Sequence, residues 1–154
     1  MFEIKYFEDL NVGDKSISSA RTVTEADIVN FAGLSGDYNT IHIDREFAQQ
    51  TPYKQRIAHG ILVISIGSGL FTNSDLNISM RKNVIALMEI KCRFLKPVFI
   101  GDTIHVEAVI TEKKETKKSD RGIVIMERTI CNQKDEAVQK LNVILMVRHR
   151  AANK

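Results

Sequence analysis

Alternation of apolar and polar positions is clearest in the second half of the chain. Residues 84–94 start as an apolar run and finish in alternation, and 103–111 alternate around Ile104, Val106, Ala108 and Ile110. Residues 122–131 and 137–149 repeat the same period of two. That period turns every second side chain to one face of a pleated ribbon, so each segment is predicted as a strand. Lys96-Pro97 breaks the first strand and Gly101-Asp102 turns the chain; residues 132–136 form the turn before the last strand. Residues 14–23 alternate more weakly and are predicted as a first strand.

The first half reads differently. Thr24 is a good N-cap, with Glu25 and Asp27 suited to the positive end of a helix over 25–32. Ile28, Phe31 and Ala32 form its buried stripe, and Gly33 or Gly36 ends it. Asp44 is predicted to cap a short helix over 45–50, stopped by Thr51-Pro52. Residues 58–72 are almost all apolar or small, which predicts a helix buried all round, against the local preference of three glycines and several β-branched residues. Helices early and long strands late describe an α+β chain, with an antiparallel sheet against a helix.

At 154 residues the chain is expected to be one domain, 1–154, large enough for a hydrophobic core. Its 44% apolar and 27% charged composition is that of a globular protein, and no apolar run reaches the roughly 20 residues needed to span a bilayer. The start, Met1-Phe2-Glu3-Ile4-Lys5, lacks the pattern of a secretory signal. Cys92 and Cys131 sit in apolar, strand-like segments with no His or Cys at metal-ligand spacing, so two reduced thiols and a cytoplasmic location are expected. A net charge of +3 is too small to argue for nucleic acid, and the mixed-sign run 111–121 reads as a solvated hairpin turn.

Candidate chemistry lies between the first helices. Asp37 and His42 stand five positions apart, and residues five apart do not share a face of a regular helix. A turn through Gly36, Asp37 and Asn39 would bring the two side chains to one point. An acid beside an imidazole, sharing a water or orienting it, is a general acid/base unit. The segment Ile57-Ala58-His59-Gly60-Ile61-Leu62 follows soon after.

These residues resemble the MaoC-type, (R)-specific enoyl-CoA hydratase family, whose fold is the hot dog, a curved antiparallel sheet wrapped around a central helix. Gly36, Asp37, Asn39, His42 and Asp44 match its overhang motif. Ile57, His59, Gly60 and Leu62 match its helix start, with Ile61 in the place of Met. Phe94, Pro97, Val98, Gly101 and Asp102 match a later signature, and the opening Phe7-Glu8-Asp9-Leu10-Asn11-Val12-Gly13-Asp14 extends the likeness over nearly the whole chain. Three ordered motifs are far more specific than one. Thr40 departs from the pattern: the family has Pro there, and Thr is expected to take a similar extended geometry with less rigidity.

The resemblance implies that Asp37 and His42 are the catalytic pair for adding water across a conjugated C=C. That reaction needs a polarised thioester, an activated water for C3 and a proton for C2. It implies that the Gly60 backbone N–H, at a helix N-terminus, meets the thioester oxygen. Ser68 matches a serine lining the family's pocket, although Ser65 lies one turn earlier. Asn39, placed with the substrate pocket, is expected chiefly to fix the overhang through backbone bonds. Asp44 is expected to cap a helix and His59 to pack or cap; no metal and no cofactor is expected.

The expected substrate is thus a trans-2-enoyl thioester of CoA, hydrated reversibly to the (R)-3-hydroxyacyl thioester. Three alternatives stand beside it: dehydration on an acyl carrier protein, a non-catalytic hot-dog subunit that binds acyl groups, and thioester hydrolysis. The resemblance also implies a homodimer or higher homo-oligomer; from charge and hydropathy, no membrane or nucleic-acid partner is expected.

Overall fold

A computed structural model describes residues 3–150. Six antiparallel strands form the sheet: β1 (Lys15–Ile17), β2 (Arg21–Thr22), β3 (Val84–Phe94), β4 (Thr103–Glu115), β5 (Arg121–Cys131) and β6 (Ala137–Arg148). Their order is β1-β4-β5-β6-β3, with β2 paired to the start of β4. The long strands lie where alternation predicts them. One face of β4, β5 and β6 buries Ile104, Val106, Ile110, Val124, Met126, Ile130, Leu141, Val143 and Leu145. At about 1.5–3 kcal/mol per fully buried large aliphatic side chain, this face is the main hydrophobic gain of the fold.

Helix α4 (Gly60–Thr72) packs in the hollow of that face and buries Leu62, Val63, Ile66, Gly67, Leu70 and Phe71. The sheet curled around one helix is the predicted α+β arrangement. The expectation of a helix buried all round is corrected. Ile61, Ser65, Ser68 and Gly69 are exposed, so one side of α4 is open in the single chain. Gly67 sits where the helix meets the sheet, since a Cβ there would lie 2.5 Å from Ile130 Cδ1. No single helix among the described residues is long and apolar enough to cross a membrane.

Three helices precede α4. In α1 (Glu25–Ser35), Thr24 and Asp27 form a capping box, as the sequence predicts for the cap. The helix ends at Gly36, whose φ of 76° is a left-handed cap that glycine adopts without a Cβ clash. Then come α2 (Thr40–Ile43) and α3 (Arg45–Gln50), the latter capped by Asp44 through a 2.9 Å bond from the Phe47 N–H. Helix α5 (Asp75–Met80) follows α4 and was not predicted. The expected strand over 14–23 is two short strands, because Ser18 interrupts it: its Oγ accepts from the Val106 N–H at 2.9 Å, in place of a ladder carbonyl. The charged run does form a turn, between β4 and β5.

Candidate active site

The segment from Gly36 to Asp44 is held by its own side chains. Ser35 Oγ accepts from the Asp37 N–H at 3.1 Å, and Asp37 Oδ1 accepts from the Asn39 N–H at 3.2 Å. Asn39 Oδ1 then accepts from the Ile41 N–H at 3.4 Å and caps α2. The turn thus carries His42 on a short helix rather than on an extended loop. Thr40 is the first residue of α2, which corrects the expected extended geometry. A first helical position is where Pro is favoured and where the N–H has no intrahelical partner anyway.

Two carbonyls fix the two imidazoles. His42 Nδ1 lies 2.8 Å from the Ile57 carbonyl oxygen, and His59 Nε2 lies 3.0 Å from the Asp37 carbonyl oxygen. A carbonyl only accepts, so each of these nitrogens carries the proton and donates. In the neutral rings, His42 Nε2 and His59 Nδ1 are therefore the basic atoms. The rings sit face to face, 3.9 Å apart at 30°, and Phe31 backs His59 at 5.0 Å. His59 is only 2% exposed and its Nδ1 has no hydrogen-bond partner. Its side chain does not cap α4. It packs, and it ties the backbone of Asp37 to the start of that helix.

An Asp37 carboxylate oxygen, a His42 nitrogen and a His59 nitrogen lie within 4.8 Å of one another. The acid and imidazole five positions apart do converge. The same three groups could hold a metal ion, a fuller set than His42 with Asp44. Burial is the largest influence on His42 and pulls its pKa below the usual 6.5; the neighbouring His59 acts the same way. The hydrogen bond to Ile57 and the charge of Asp37 push back.

His42 opens onto a cleft of about 260 Å³, lined also by Tyr53, Gly60, Phe94, Pro97 and Gln139. Gly60 begins α4, so its N–H is among the unpartnered donors of a helix start. A Cβ on Gly60 would lie 2.5 Å from Phe94 Cε1, so the absence of a side chain lets the Phe94 ring lie against the backbone. The later signature shapes the opposite wall. Asp102 Oδ2 accepts from the Phe99 N–H at 2.8 Å, and the Val98 carbonyl accepts from the Ala58 N–H at 2.8 Å, just ahead of His59 and Gly60.

The remaining predicted site residues lie elsewhere. Asn39 is exposed and uses its side chain on α2, as expected. Ser68 lies two turns along α4 and borders a separate small cavity with Arg128. Ser65 faces a groove between α1 and α4. Gln139 was missed: it is 2% exposed, and its Nε2 donates to the Gly60 carbonyl at 2.9 Å. Its Oε1 is buried and unpartnered. A glutamine in the inward series that continues with Leu141, Val143 and Leu145 was the available signal. Cys92 is half-buried and Cys131 buried; both are free, and burial raises both thiol pKa values.

Comparison with known proteins finds relatives of the chain. The model of the MaoC like domain matches residues 11–129. The chain is 42% identical over 119 residues to Protein MaoC of Klebsiella aerogenes, covering 77% of this chain but 33% of that protein, so it spans about a third of that relative's length. It is 34% identical over 144 residues to an (R)-specific enoyl-CoA hydratase of Rhodospirillum rubrum, covering 94% of this chain and 92% of that one. Among solved structures, a monoamine oxidase regulatory protein from Archaeoglobus fulgius superposes with a TM-score of 0.88 at 38% identity, over 95% of both chains. A Mycobacterium tuberculosis protein described as a double hotdog fold matches at a TM-score of 0.80 and 18% identity, over 98% of this chain and 46% of that one, which bears on the fold alone.

Proposed function

The chain belongs to the MaoC-like domain family, and on that footing we propose that it is a hydro-lyase that reversibly hydrates trans-2-enoyl-CoA to (R)-3-hydroxyacyl-CoA. The observation that carries the reading is the meeting of the Asp37 carboxylate and the His42 ring, within 4.8 Å, at the mouth of a cleft that includes Gly60. That separation suits two groups sharing one water. With its proton on Nδ1, His42 offers Nε2 to take a proton from the water that attacks C3. Asp37 holds the same water and offsets the charge that forms on the imidazole.

Addition at C3 drives electron density through the conjugated system onto the thioester oxygen. The Gly60 N–H, aided by the positive end of α4, is the donor for that oxygen, and losing one such donor costs about 2.7–4 kcal/mol of barrier. The proton then passes to C2, and dehydration is the same path reversed. The names of relatives support this chemistry: an (R)-specific enoyl-CoA hydratase and a 3-hydroxybutyryl-CoA dehydratase are both among them.

The test is loss of the enoyl-thioester absorbance with crotonyl-CoA and with longer enoyl-CoAs. Asp37→Asn and His42→Gln are each expected to lower kcat by at least about 10²-fold, the scale of a positioned acid or base. Steady turnover by either variant, or none by the wild type on any enoyl-CoA, would sink the reading.

A further inference from the structure

Resting on that reading of the reaction, we propose that the acyl group taken by this chain carries a second carboxylate at its far end, and that Arg128 binds it. Arg128 occupies an inward position of β5, in the series Val124, Met126, Arg128, Ile130, where its neighbours on that face are apolar. It is 8% exposed. Its guanidinium stacks 3.6 Å from the centroid of the Phe71 ring, and its Nε donates to Met126 Sδ at 3.2 Å. No carboxylate among the described residues pairs with it.

A guanidinium has five N–H donors, and a thioether is a weak acceptor for one of them. Burial lowers the pKa of Arg128 to about 10, which still leaves it charged at neutral pH. A buried cation without an anion is strongly unfavourable, and a planar fork of donors is shaped for a carboxylate. Stacking on Phe71 positions the fork without neutralising it.

Its cavity lies along the same helix as the cleft. Arg128 borders a narrow cavity between α4 and the sheet together with Ile64, Ser68, Ile90 and Leu141. The cavity measures about 10 Å³, room for about one water-sized group. Gly60, Ile64 and Ser68 follow each other at steps of four along one side of α4, with Ile64 half-buried and Ser68 exposed. On β6, Gln139 in the cleft and Leu141 at the cavity are two positions apart on one face. A thioester held at Gly60 would run its acyl tail along that side, past Ser68, toward Arg128. Eight residues of helix from Gly60 to Ser68 span about 12 Å, the reach of a medium-length acyl chain.

Binding of unreactive saturated thioesters tests this directly. Calorimetry would compare succinyl- with butyryl-CoA, adipoyl- with hexanoyl-CoA, and suberoyl- with octanoyl-CoA. At one length or more, the wild type is expected to bind the carboxylated member on the order of 10- to 100-fold tighter, the scale of hydrogen bonds to a charged group. Arg128→Met is expected to erase that difference within the pair, and Arg128→Lys to keep part of it. No preference at any length, or a preference kept by Arg128→Met, overturns the proposal; should the Met variant fail to fold, the wild-type pairs and the Lys variant still decide. Because no turnover is read, failure of hydratase activity on every enoyl-CoA would be seen separately and would count against the reaction alone.

Discussion

His42 keeps its proton on Nδ1 because only a carbonyl faces that nitrogen, and this leaves Nε2 as the basic atom of the proposed pair. The depressed pKa follows from the same packing, with burial first and the stacked His59 adding to it. Below 6.5 an unfolded imidazole takes up a proton that the folded ring still refuses. In that window the native state binds fewer protons, so stability falls as pH drops from 6.5 toward the folded pKa and is untouched by this group above 6.5. Hydration should follow: the acid limb of kcat/KM is expected at a pH below 6.5. In Asp37→Asn the carboxylate no longer raises the ring's pKa, so the His42 midpoint read by NMR should move lower still. A wild-type midpoint at or above 6.5 would contradict the account.

At the scale of elements, α2 is the part that the sequence describes least well. Asn39 has φ −57° and ψ 132°, a conformation that a following Pro tolerates, and Thr40 begins the helix. Thr40→Pro is therefore expected to stabilise the chain by about 0.4–1 kcal/mol, by restricting the unfolded state and not by any new contact. A lowered denaturant midpoint would show that the backbone there differs. Strands β3 to β6 were legible because alternation is strong when one face is buried and the run is long. Strands β1 and β2 were not, since each is two or three residues and Ser18 replaces a backbone partner between them. Helix α5, six residues long, has no periodicity to detect and rests on contacts with its surroundings. The acid, the imidazole and the glycine of the candidate site could be picked out because they lie within one stretch of chain. Gln139 and Arg128 come from strands remote in sequence, although the alternation of β5 already turns Arg128 inward.

For the whole molecule, the informative surface is the free edge of β3. Its ladder to β6 shifts register twice, between Val84 and Ala86 and between Leu87 and Glu89, and Leu87, Met88 and Ile90 are exposed along it. An apolar edge strand of this length invites another strand. A homodimer joined at β3, with the open side of α4 near the seam, is the expected assembly. Light scattering should give twice the 17.4 kDa chain mass, and Leu87→Lys with Met88→Lys should return it to one. A wild-type mass of one chain at working concentration would refute it. The central position of α4 has one more consequence, in the order of synthesis. The helix emerges from the ribosome ahead of β3 to β6, which cover it, and at about 5–20 residues per second several seconds pass before the last strand follows. Throughout that interval the run from Ile61 to Phe71 is an uncovered apolar segment, open to non-native contacts.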